Sequence, residues 1–317
     1  RKHSSPEEFE IKVEYLASPS LDDKILILAD PMLATGRSLA AVHEVLKKTG
    51  NIRQVHIVSV IAAEEGIEFI YYDQLGCGNS DNPNDVAMWD LPRFVEEVEQ
   101  VRIALGLNKD NFYLLGHSWG GILAMDYAMK YQNNLKGLII SNMMSSAPDY
   151  GKYAEDVLSK QFKPEVLKEI REIEAKKDFS NPRYMELLMP NFYAEHICRI
   201  PLQNWPEPVN RSFSKMNQSL YVTMQGPSEF GLSGKLEKWD RSQDLKKIST
   251  PTLVVGAKND TMDPKHMEWM STQFQNGSYL YCPNGSHMSM YDDQETYMGG
   301  LIKFLKGVDE GQKKMKL

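Results

Sequence analysis

The sequence contains few cysteines and no long apolar run, and each of these absences excludes a class of protein. Its three cysteines, Cys77, Cys198 and Cys282, stand far apart, whereas disulfide frameworks and zinc sites use even or clustered sets. Reduced, buried thiols are therefore expected. A transmembrane helix needs about 18 consecutive apolar residues, and no such run occurs in the chain.

Acidic residues outnumber basic ones by 43 to 36, and the histidines do not cluster. The net formal charge is −7 and the isoelectric point is about 5.6, which argues against a nucleic acid or an anionic membrane as the partner. The seven histidines form no HxxxH pair and no CxxC pair occurs, so neither a metal nor a cofactor is expected. The start, "RKHSSPEEFE", lacks the apolar stretch of a signal peptide and resembles a truncated or processed end. A cytoplasmic protein is expected.

What the chain does contain is an alternation of short apolar runs with helical patterns. Five runs in the first half are typical of strands: "KILILA", "VHIVSVIAA", "IEFIYYDQLG", "NFYLLG" and "LKGLIIS". Between the third and the fourth, residues 91–105 carry apolar side chains at helical spacing. The alternation predicts an α/β fold with a mostly parallel sheet covered by helices.

A helical, loop-rich insertion interrupts this alternation. From about residue 147 the chain is rich in aromatic and Met residues and carries a charged helical pattern over 163–177. Strand patterns return at "TPTLVVGAKND" and "SYLYCPNGSH", and "ETYMGGLIKFLKGV" predicts a closing helix. The predicted organisation is an N-terminal βαβ segment (1–68), a first part of the α/β core (69–146), a helical cap (147–245) and a second part of the core (246–317).

The segment Gly116-His117-Ser118-Trp119-Gly120 has the G-x-S-x-G spacing of a nucleophile elbow. It stands directly after an apolar strand and directly before a helix, where the motif has to stand. The glycines permit a sharp turn that lifts Ser118 above the sheet, and the helix start supplies free backbone N–H groups. The N–H of Trp119, one residue after the nucleophile, is the natural oxyanion donor.

A base and an acid follow in the chain order of α/β hydrolases, which is Ser, then Asp, then His. Asp260 follows the strand "TLVVGAKN", and His287 follows the strand "YLYCPNGS" near the end of the chain. Together with Ser118 they form a candidate catalytic triad, in which the base takes the proton of an otherwise weak nucleophile.

Each of these two assignments has a structural alternative. The carboxylate of Asp260 would suit a helix N-cap, and Asp263 is its nearest rival for the catalytic role. His287 would suit a solvated loop. Among the other histidines, His266 lies in a predicted helix, and His117 is expected to point away from the site.

Over about residues 66–308 the sequence resembles the proline iminopeptidases (prolyl aminopeptidases) of the α/β-hydrolase superfamily. The matching segments are "EFIYYDQLGCGNSD", "FVEEVEQVRIALGL", "NFYLLGHSWGGILAMDYAMKY", "QGPSEFG" and "GAKNDTMDP". The resemblance implies an enzyme that releases N-terminal proline from peptides through Ser118, His287 and Asp260. The predicted partner is therefore a peptide with a free N-terminal proline.

The resemblance also implies substrate-binding residues in the cap. Glu229 in "QGPSEF" matches the glutamate that receives the free amino end of the substrate, a role that suits a buried carboxylate. Its structural alternative is a surface glutamate in a Gly/Pro loop. Trp205 and Phe230 are candidates for the apolar wall of a proline pocket. Two other cap glutamates are weaker candidates for the amine site: Glu195 and Glu207.

Residues 1 to about 68 resemble a different family, the uracil phosphoribosyltransferases. "DPMLATGRS" matches the loop with which that family holds phosphoribosyl pyrophosphate. Small residues at a helix start let backbone N–H groups close on a phosphate. The candidate phosphate-loop residues are Asp30, Ala34, Thr35, Gly36 and Ser38. The remainder of such an enzyme is absent, so the chain resembles a chimera, natural or engineered, that changes family at "EEGIEF".

The chimera lacks the "HGGPG" loop that supplies the second oxyanion donor in proline iminopeptidases. In its place stands the phosphate loop, where Pro31 has no N–H and Met32 or Leu33 would have to donate. Loss of one oxyanion donor costs about 2.7–4 kcal/mol, or about 10²–10³ in rate. Reduced or absent activity on an assembled triad is therefore expected. The alternatives are another ester or amide hydrolase on the same triad, or a phosphoribosyl-pyrophosphate-binding remnant without hydrolase activity.

Overall fold

A computed structural model describes residues 2–3, 9–10, 25–29, 54–58, 67–83, 85–315 and 317 of the chain. The chain divides into two units, Arg1–Tyr72 and Asp73–Leu317, and each is described by itself. Among the described residues, no helix is both long enough and apolar enough to cross a lipid bilayer.

In the first unit, β1 (Lys2–His3) pairs antiparallel with β2 (Phe9–Glu10). Strand β3 (Ile25–Ala29) pairs parallel with β4 (Gln54–Val58). The strands predicted in "KILILA" and "VHIVSVIAA" are thus confirmed, and their parallel pairing is that of a βαβ unit. The phosphate-loop candidates and the predicted crossover helix lie outside the described residues.

The second unit contains a four-stranded parallel sheet in the order β5–β6–β7–β8. Every residue of β6 and β7 is buried, as expected for central strands of a parallel sheet that is covered on both faces. Because the strands are parallel, their carboxyl ends lie along one edge. The strands are β5 (Tyr113–His117), β6 (Gly137–Ser141), β7 (Thr252–Ala257) and β8 (Gly277–Cys282).

Helices cover this sheet and recur through residues 147–245, the interval predicted to be a cap, with short 3₁₀ and π turns linking several of them. The helices of the second unit are α1 (Leu91–Ala104), α2 (Trp119–Tyr131), α3 (Ala147–Tyr153), α4 (Pro164–Ala175), α5 (Pro182–Leu188), α6 (Ala194–His196), α7 (Glu207–Ser214), α8 (Gln218–Met224), α9 (Pro264–Gln273), α10 (Ser289–Asp292) and α11 (Gln294–Asp309).

Helix α1 shows how the apolar spacing produces the packing. Its residues Leu91, Phe94, Val95 and Val98 are buried in the core of the sheet, because positions three and four apart share one helix face. The predicted helix therefore forms with its apolar stripe inward. Leu105, counted as the last member of that stripe, follows the helix and is exposed.

The prediction of a strand in "IEFIYYDQLG" is wrong. Residues 67–74 form no strand, and the side chains of Ile70 and Tyr71 are 46% and 75% exposed. An apolar run becomes a strand only where a neighbouring strand takes up its backbone hydrogen bonds. No strand among the described residues pairs with this segment.

The interval 147–245, which the structure describes throughout, has its own apolar cluster. Helices α3 to α8 and their connecting turns make up its regular structure, apart from one antiparallel bridge between Ser146 and Asp240. Ile170 and Ile173 of α4 are buried among the aromatic side chains of this cluster. The cluster is distinct from the core at the sheet, but α3 and α8 contribute Tyr150 and Leu220 to that core. The interval therefore packs partly around its own apolar centre and partly against the sheet core.

Candidate active site

The carboxyl ends of the four parallel strands each lead into a polar residue of the candidate site. Ser118 follows β5 directly and Asn142 follows β6 directly, while Asp260 and His287 lie in the turns after β7 and β8. Ligand sites of open α/β sheets form beyond the carboxyl ends of the strands. The sheet therefore gathers residues that are far apart in sequence.

The elbow at Ser118 has the strained geometry that its motif predicts. Ser118 has φ 53° and ψ −122°, a conformation that a non-glycine residue adopts only when its surroundings enforce it. Its N–H donates to Ser141 O at 3.0 Å, and its carbonyl accepts from Gly121 N at 2.7 Å. A Cβ on Gly116 would lie 1.9 Å from Gly120 O, so only glycine permits this close approach of strand and helix.

Ser118, His287 and Asp260 are hydrogen-bonded in series. His287 Nε2 lies 2.8 Å from Ser118 Oγ, and His287 Nδ1 lies 2.8 Å from Asp260 Oδ1. The side chains of His287 and Asp260 are 3% and 0% exposed. Both distances are within the range for a base that removes the hydroxyl proton and an acid that orients the base.

Burial and charge shift the pKa values of Asp260 and His287 in opposite directions. Burial alone would raise the pKa of Asp260, but the positive charge of His287 and the hydrogen bonds from His287 and Asn142 lower it. Burial alone would lower the pKa of His287, but the charge and hydrogen bond of Asp260, with a contribution from Glu229, raise it. The pair is thus arranged to hold an imidazolium beside a carboxylate.

The raised pKa of His287 predicts the acidic limb of the pH–rate profile. Protonated His287 cannot accept the proton of Ser118, so activity is lost as the pH falls through the pKa of this histidine. Because that pKa lies above its usual 6.5, kcat/KM should reach half its plateau above pH 6.5. A pH profile of kcat/KM checks this, and a half-maximum below pH 6 would contradict it.

The rivals of the triad residues have other partners. The Asp263 carboxylate caps α9 by accepting from Lys265 N at 2.9 Å. His266 lies on α9, as predicted, with Nε2 3.0 Å from Ser145 Oγ. The expectation that His117 points away is wrong, because its ring centroid lies 4.9 Å from that of His287. Its Nδ1 is 3.3 Å from Ser141 Oγ, a contact that keeps the ring along the sheet edge where the triad lies.

Glu229 is a buried carboxylate in the loop after α8. Tyr221 OH donates to its Oε1 at 2.5 Å, and Gln225 Nε2 donates to its Oε2 at 3.1 Å. The residue is 7% exposed. No cationic side chain of the described residues forms an ion pair with it, and its charge contributes to the raised pKa of His287. This carboxylate thus lies within electrostatic reach of the triad.

The two weaker candidates differ from Glu229 in exposure and pairing. Glu195 is paired with Arg199, and Glu207 is paired with Arg211. Both carboxylates are more than half exposed, in contrast to that of Glu229.

The two apolar candidates are both buried in the cap cluster. Phe230 packs against Phe162 and Phe192, with ring centroids 5.1 and 5.2 Å away. Trp205 stacks on Phe213 and donates its indole N–H to Ile200 O at 2.9 Å. Phe230 adjoins Glu229 in sequence, whereas the recorded contacts of Trp205 are with the cap itself.

Comparison with known proteins agrees with this geometry. A family model described as the alpha/beta hydrolase fold matches residues 50–294. The proline iminopeptidase of Flavobacterium johnsoniae is 61% identical over 246 residues, which cover 78% of this chain and 82% of that protein. The proline iminopeptidase of Elizabethkingia meningoseptica is 62% identical over 247 residues, covering 77% and 82%. This chain belongs to the proline iminopeptidase family of α/β hydrolases.

This member of the proline iminopeptidase family is also similar to a solved structure, and its N-terminal part matches a second family model. The crystal structure of the proline iminopeptidase of Mycobacterium smegmatis matches with a TM-score of 0.67 and 25% identity, covering 93% of this chain and 92% of that one. The uracil phosphoribosyltransferase model matches residues 3–75. The two resemblances of the sequence are thereby confirmed, and the chain is a hydrolase of the family with a phosphoribosyltransferase-like N-terminal part.

Two residues at the site of this family member were missed by sequence reasoning. Asn142 donates from Nδ2 to Asp260 Oδ2 at 2.7 Å. His196 lies with Nδ1 2.8 Å from Asn259 O, and its carbonyl accepts from His287 N at 2.9 Å. A polar residue directly after a buried strand was the signal available for Asn142. His196 gave no signal, because its role depends on how the cap folds back on the core.

Proposed function

We propose that this chain is a serine aminopeptidase that releases N-terminal proline from peptides. The observation that carries the proposal is a Ser–His–Asp hydrogen-bond series beside a buried carboxylate, Glu229, whose side-chain donors among the described residues are all neutral. A substrate ammonium bound at Glu229 would supply the positive charge that pairs with this carboxylate. The distance from the ammonium to the scissile carbonyl then selects the first residue of the peptide.

The proposed reaction proceeds through an acyl-enzyme. His287 takes the proton of Ser118 Oγ as that oxygen attacks the carbonyl carbon of the N-terminal proline. His287 then gives the proton to the departing amine, and the peptide, shortened by one residue, leaves. Water, activated by the same imidazole, attacks the acyl-enzyme and releases proline. Asp260 stabilises the imidazolium and orients the ring throughout.

The oxyanion of the tetrahedral intermediate is proposed to bind at the start of α2. Trp119 N–H belongs to the first residue of this helix, where N–H groups have no intrahelical acceptor. The sequence offers Met32 or Leu33 as candidates for the second donor, and both lie outside the described residues. With one donor alone, the rate falls by about 10²–10³, so a slow enzyme is expected.

The proposal includes an apolar pocket for the proline ring of the substrate. Phe230, which is buried and adjacent to Glu229, is proposed to form one apolar wall of this pocket, and Trp205 is proposed to form a second wall.

The proposed core is formed by residues 69–146 and 246–317, with a cap at 147–245 and the N-terminal segment at 1–68. The protein is proposed to be cytoplasmic, where its three free cysteines would stay reduced.

The test compares substrates that differ only at the amino end. Proline β-naphthylamide should be turned over, whereas N-acetylproline β-naphthylamide should be turned over at least about 100-fold more slowly, because acetylation removes the cation that pairs with Glu229. Equal turnover of both would contradict an aminopeptidase. Hydrolysis of a simple ester with no turnover of either amide would favour a different hydrolase on the same triad.

A further inference from the structure

We propose that Asn142 is a positioning residue of the catalytic centre, whose side-chain amide holds the Asp260 carboxylate in the orientation that His287 requires. The inference rests on the proposed serine-hydrolase chemistry. It gives each of the four parallel strands one residue of the site, since Asn142 follows β6 as Ser118 follows β5.

Asn142 is fully buried and uses all of its side-chain hydrogen-bonding capacity. Nδ2 donates to Asp260 Oδ2 at 2.7 Å and to Ser286 O at 3.3 Å. Oδ1 accepts from Ser141 Oγ at 2.8 Å and from Ser289 Oγ at 3.1 Å. A carboxylate and a carbonyl accept only, and these hydroxyls donate here, so one orientation of the amide satisfies all four contacts. The side chain is therefore fixed.

The two oxygens of Asp260 have different partners, and for this reason the orientation of the carboxylate depends on Asn142. Oδ1 lies 2.8 Å from His287 Nδ1 and accepts from Met262 N at 3.2 Å and from Thr261 Oγ1 at 3.3 Å. For Oδ2, the described residues supply one donor, the Asn142 amide. Without it, a buried anionic oxygen would have no partner, which is costly enough to rotate or protonate the carboxylate.

A chain of donors behind Asn142 strengthens this contact. Tyr297 OH donates to Ser141 Oγ at 3.0 Å, and Ser141 Oγ donates to Asn142 Oδ1. Hydrogen bonds in series polarise one another, so the amide becomes a better donor to the carboxylate. The backbone of Asn142 has φ 53°, a left-handed conformation that Asn, Asp and Gly tolerate best.

The test uses two substitutions that suit this backbone. Asn142→Gly removes the amide, and Asn142→Asp keeps the shape but places a second carboxylate against Asp260. We expect kcat to fall about 10- to 100-fold in each, with KM changed less than about threefold. The acidic limb of kcat/KM should move to lower pH in Asn142→Gly, since a rotated or protonated Asp260 favours the imidazolium less. It should move to higher pH, by about one unit, in Asn142→Asp, since added negative charge favours the imidazolium.

Other titratable groups face the triad and stay unchanged in these variants. They are His117 on β5, Tyr279 and Cys282 on β8, Asp292 on α10, and Tyr150, Tyr153, His196 and Glu229 in the interval 147–245. The matched control is Asn134→Gly, which removes an amide that donates to the carboxylate of Glu99 at 3.4 Å. The control should leave both kcat and the acidic limb unchanged.

Two further measurements separate the possible failures. Thermal unfolding identifies a variant that does not fold, and Asn142→Asp preserves volume and backbone preference in case Asn142→Gly unfolds. The rate at which a fluorophosphonate labels Ser118 depends on the triad but not on proline recognition. If the wild type is labelled yet cleaves no proline amide, the aminopeptidase fails while the Asn142 proposal is still tested. Folded variants with wild-type labelling rates and an unmoved acidic limb would overturn it.

Discussion

Replacement of Ser118 by alanine should abolish the turnover of proline β-naphthylamide, with kcat lowered by about 10⁴- to 10⁶-fold. In the proposed reaction Ser118 Oγ forms the covalent bond with the substrate, and it lies 2.8 Å from His287 Nε2, the proposed base. Steady-state kinetics of the purified variant measure the loss. Binding of the substrate should survive, because Glu229 and the cap are unchanged.

A serine outside the site provides the control. Ser271 on α9 is buried and donates its hydroxyl to Glu268 O at 2.6 Å, so Ser271→Ala removes a buried hydroxyl without touching the triad. It should retain activity within about threefold. Equal turnover by Ser118→Ala and the wild type would mean that this serine is not the nucleophile.

The second large effect is expected for Glu229→Gln. The glutamine keeps the shape and can still bond to Tyr221 and Gln225, but it removes the charge that the substrate ammonium would meet. Turnover of proline β-naphthylamide, as kcat/KM, should fall about 100- to 1,000-fold, corresponding to about 3–4 kcal/mol for a buried charge pair. Hydrolysis of p-nitrophenyl acetate, which has no amine, should change less than about threefold.

The cap itself supplies matched controls for this variant. Glu195 and Glu207 are exposed and paired with Arg199 and Arg211, four residues away in each case. Glu195→Gln and Glu207→Gln should leave both substrates unaffected, because exposed ion pairs of this kind contribute little. Equal losses on the ester and the amide in Glu229→Gln would show that this residue supports the fold and does not bind the amine.

The triad was predictable from the sequence because each of its residues follows a strand with a strong apolar signal. "NFYLLG", "TLVVGA" and "YLYC" have the length and composition of buried strands, and parallel strands bring their carboxyl ends to one edge. The order of Ser118, Asp260 and His287 then left few arrangements open. Local sequence therefore predicted which residues meet at this edge, although Ser118 lies 169 residues from His287 in the chain.

The parts that escaped prediction depend on packing between distant segments. Asn142 was visible only as a polar residue after "LKGLIIS", and its contact with Asp260 follows from the neighbouring positions of β6 and β7. The run at 67–74 satisfied every local criterion for a strand, but pairing is a property of two segments and not of one. His117 was misjudged for a similar reason, since its direction depends on Ser141 of the next strand.

The backbone contacts of residues 196–197 with the loop of His287 tie the position of the imidazole to the fold of the interval 147–245. His287 N donates to His196 O at 2.9 Å, and Met288 N donates to Ile197 O at 2.8 Å. An insertion or deletion that shifted residues 196–197 would break both contacts and displace the imidazole. Because only backbone groups take part, the lengths of these two loops should matter more for the base than the identity of their side chains.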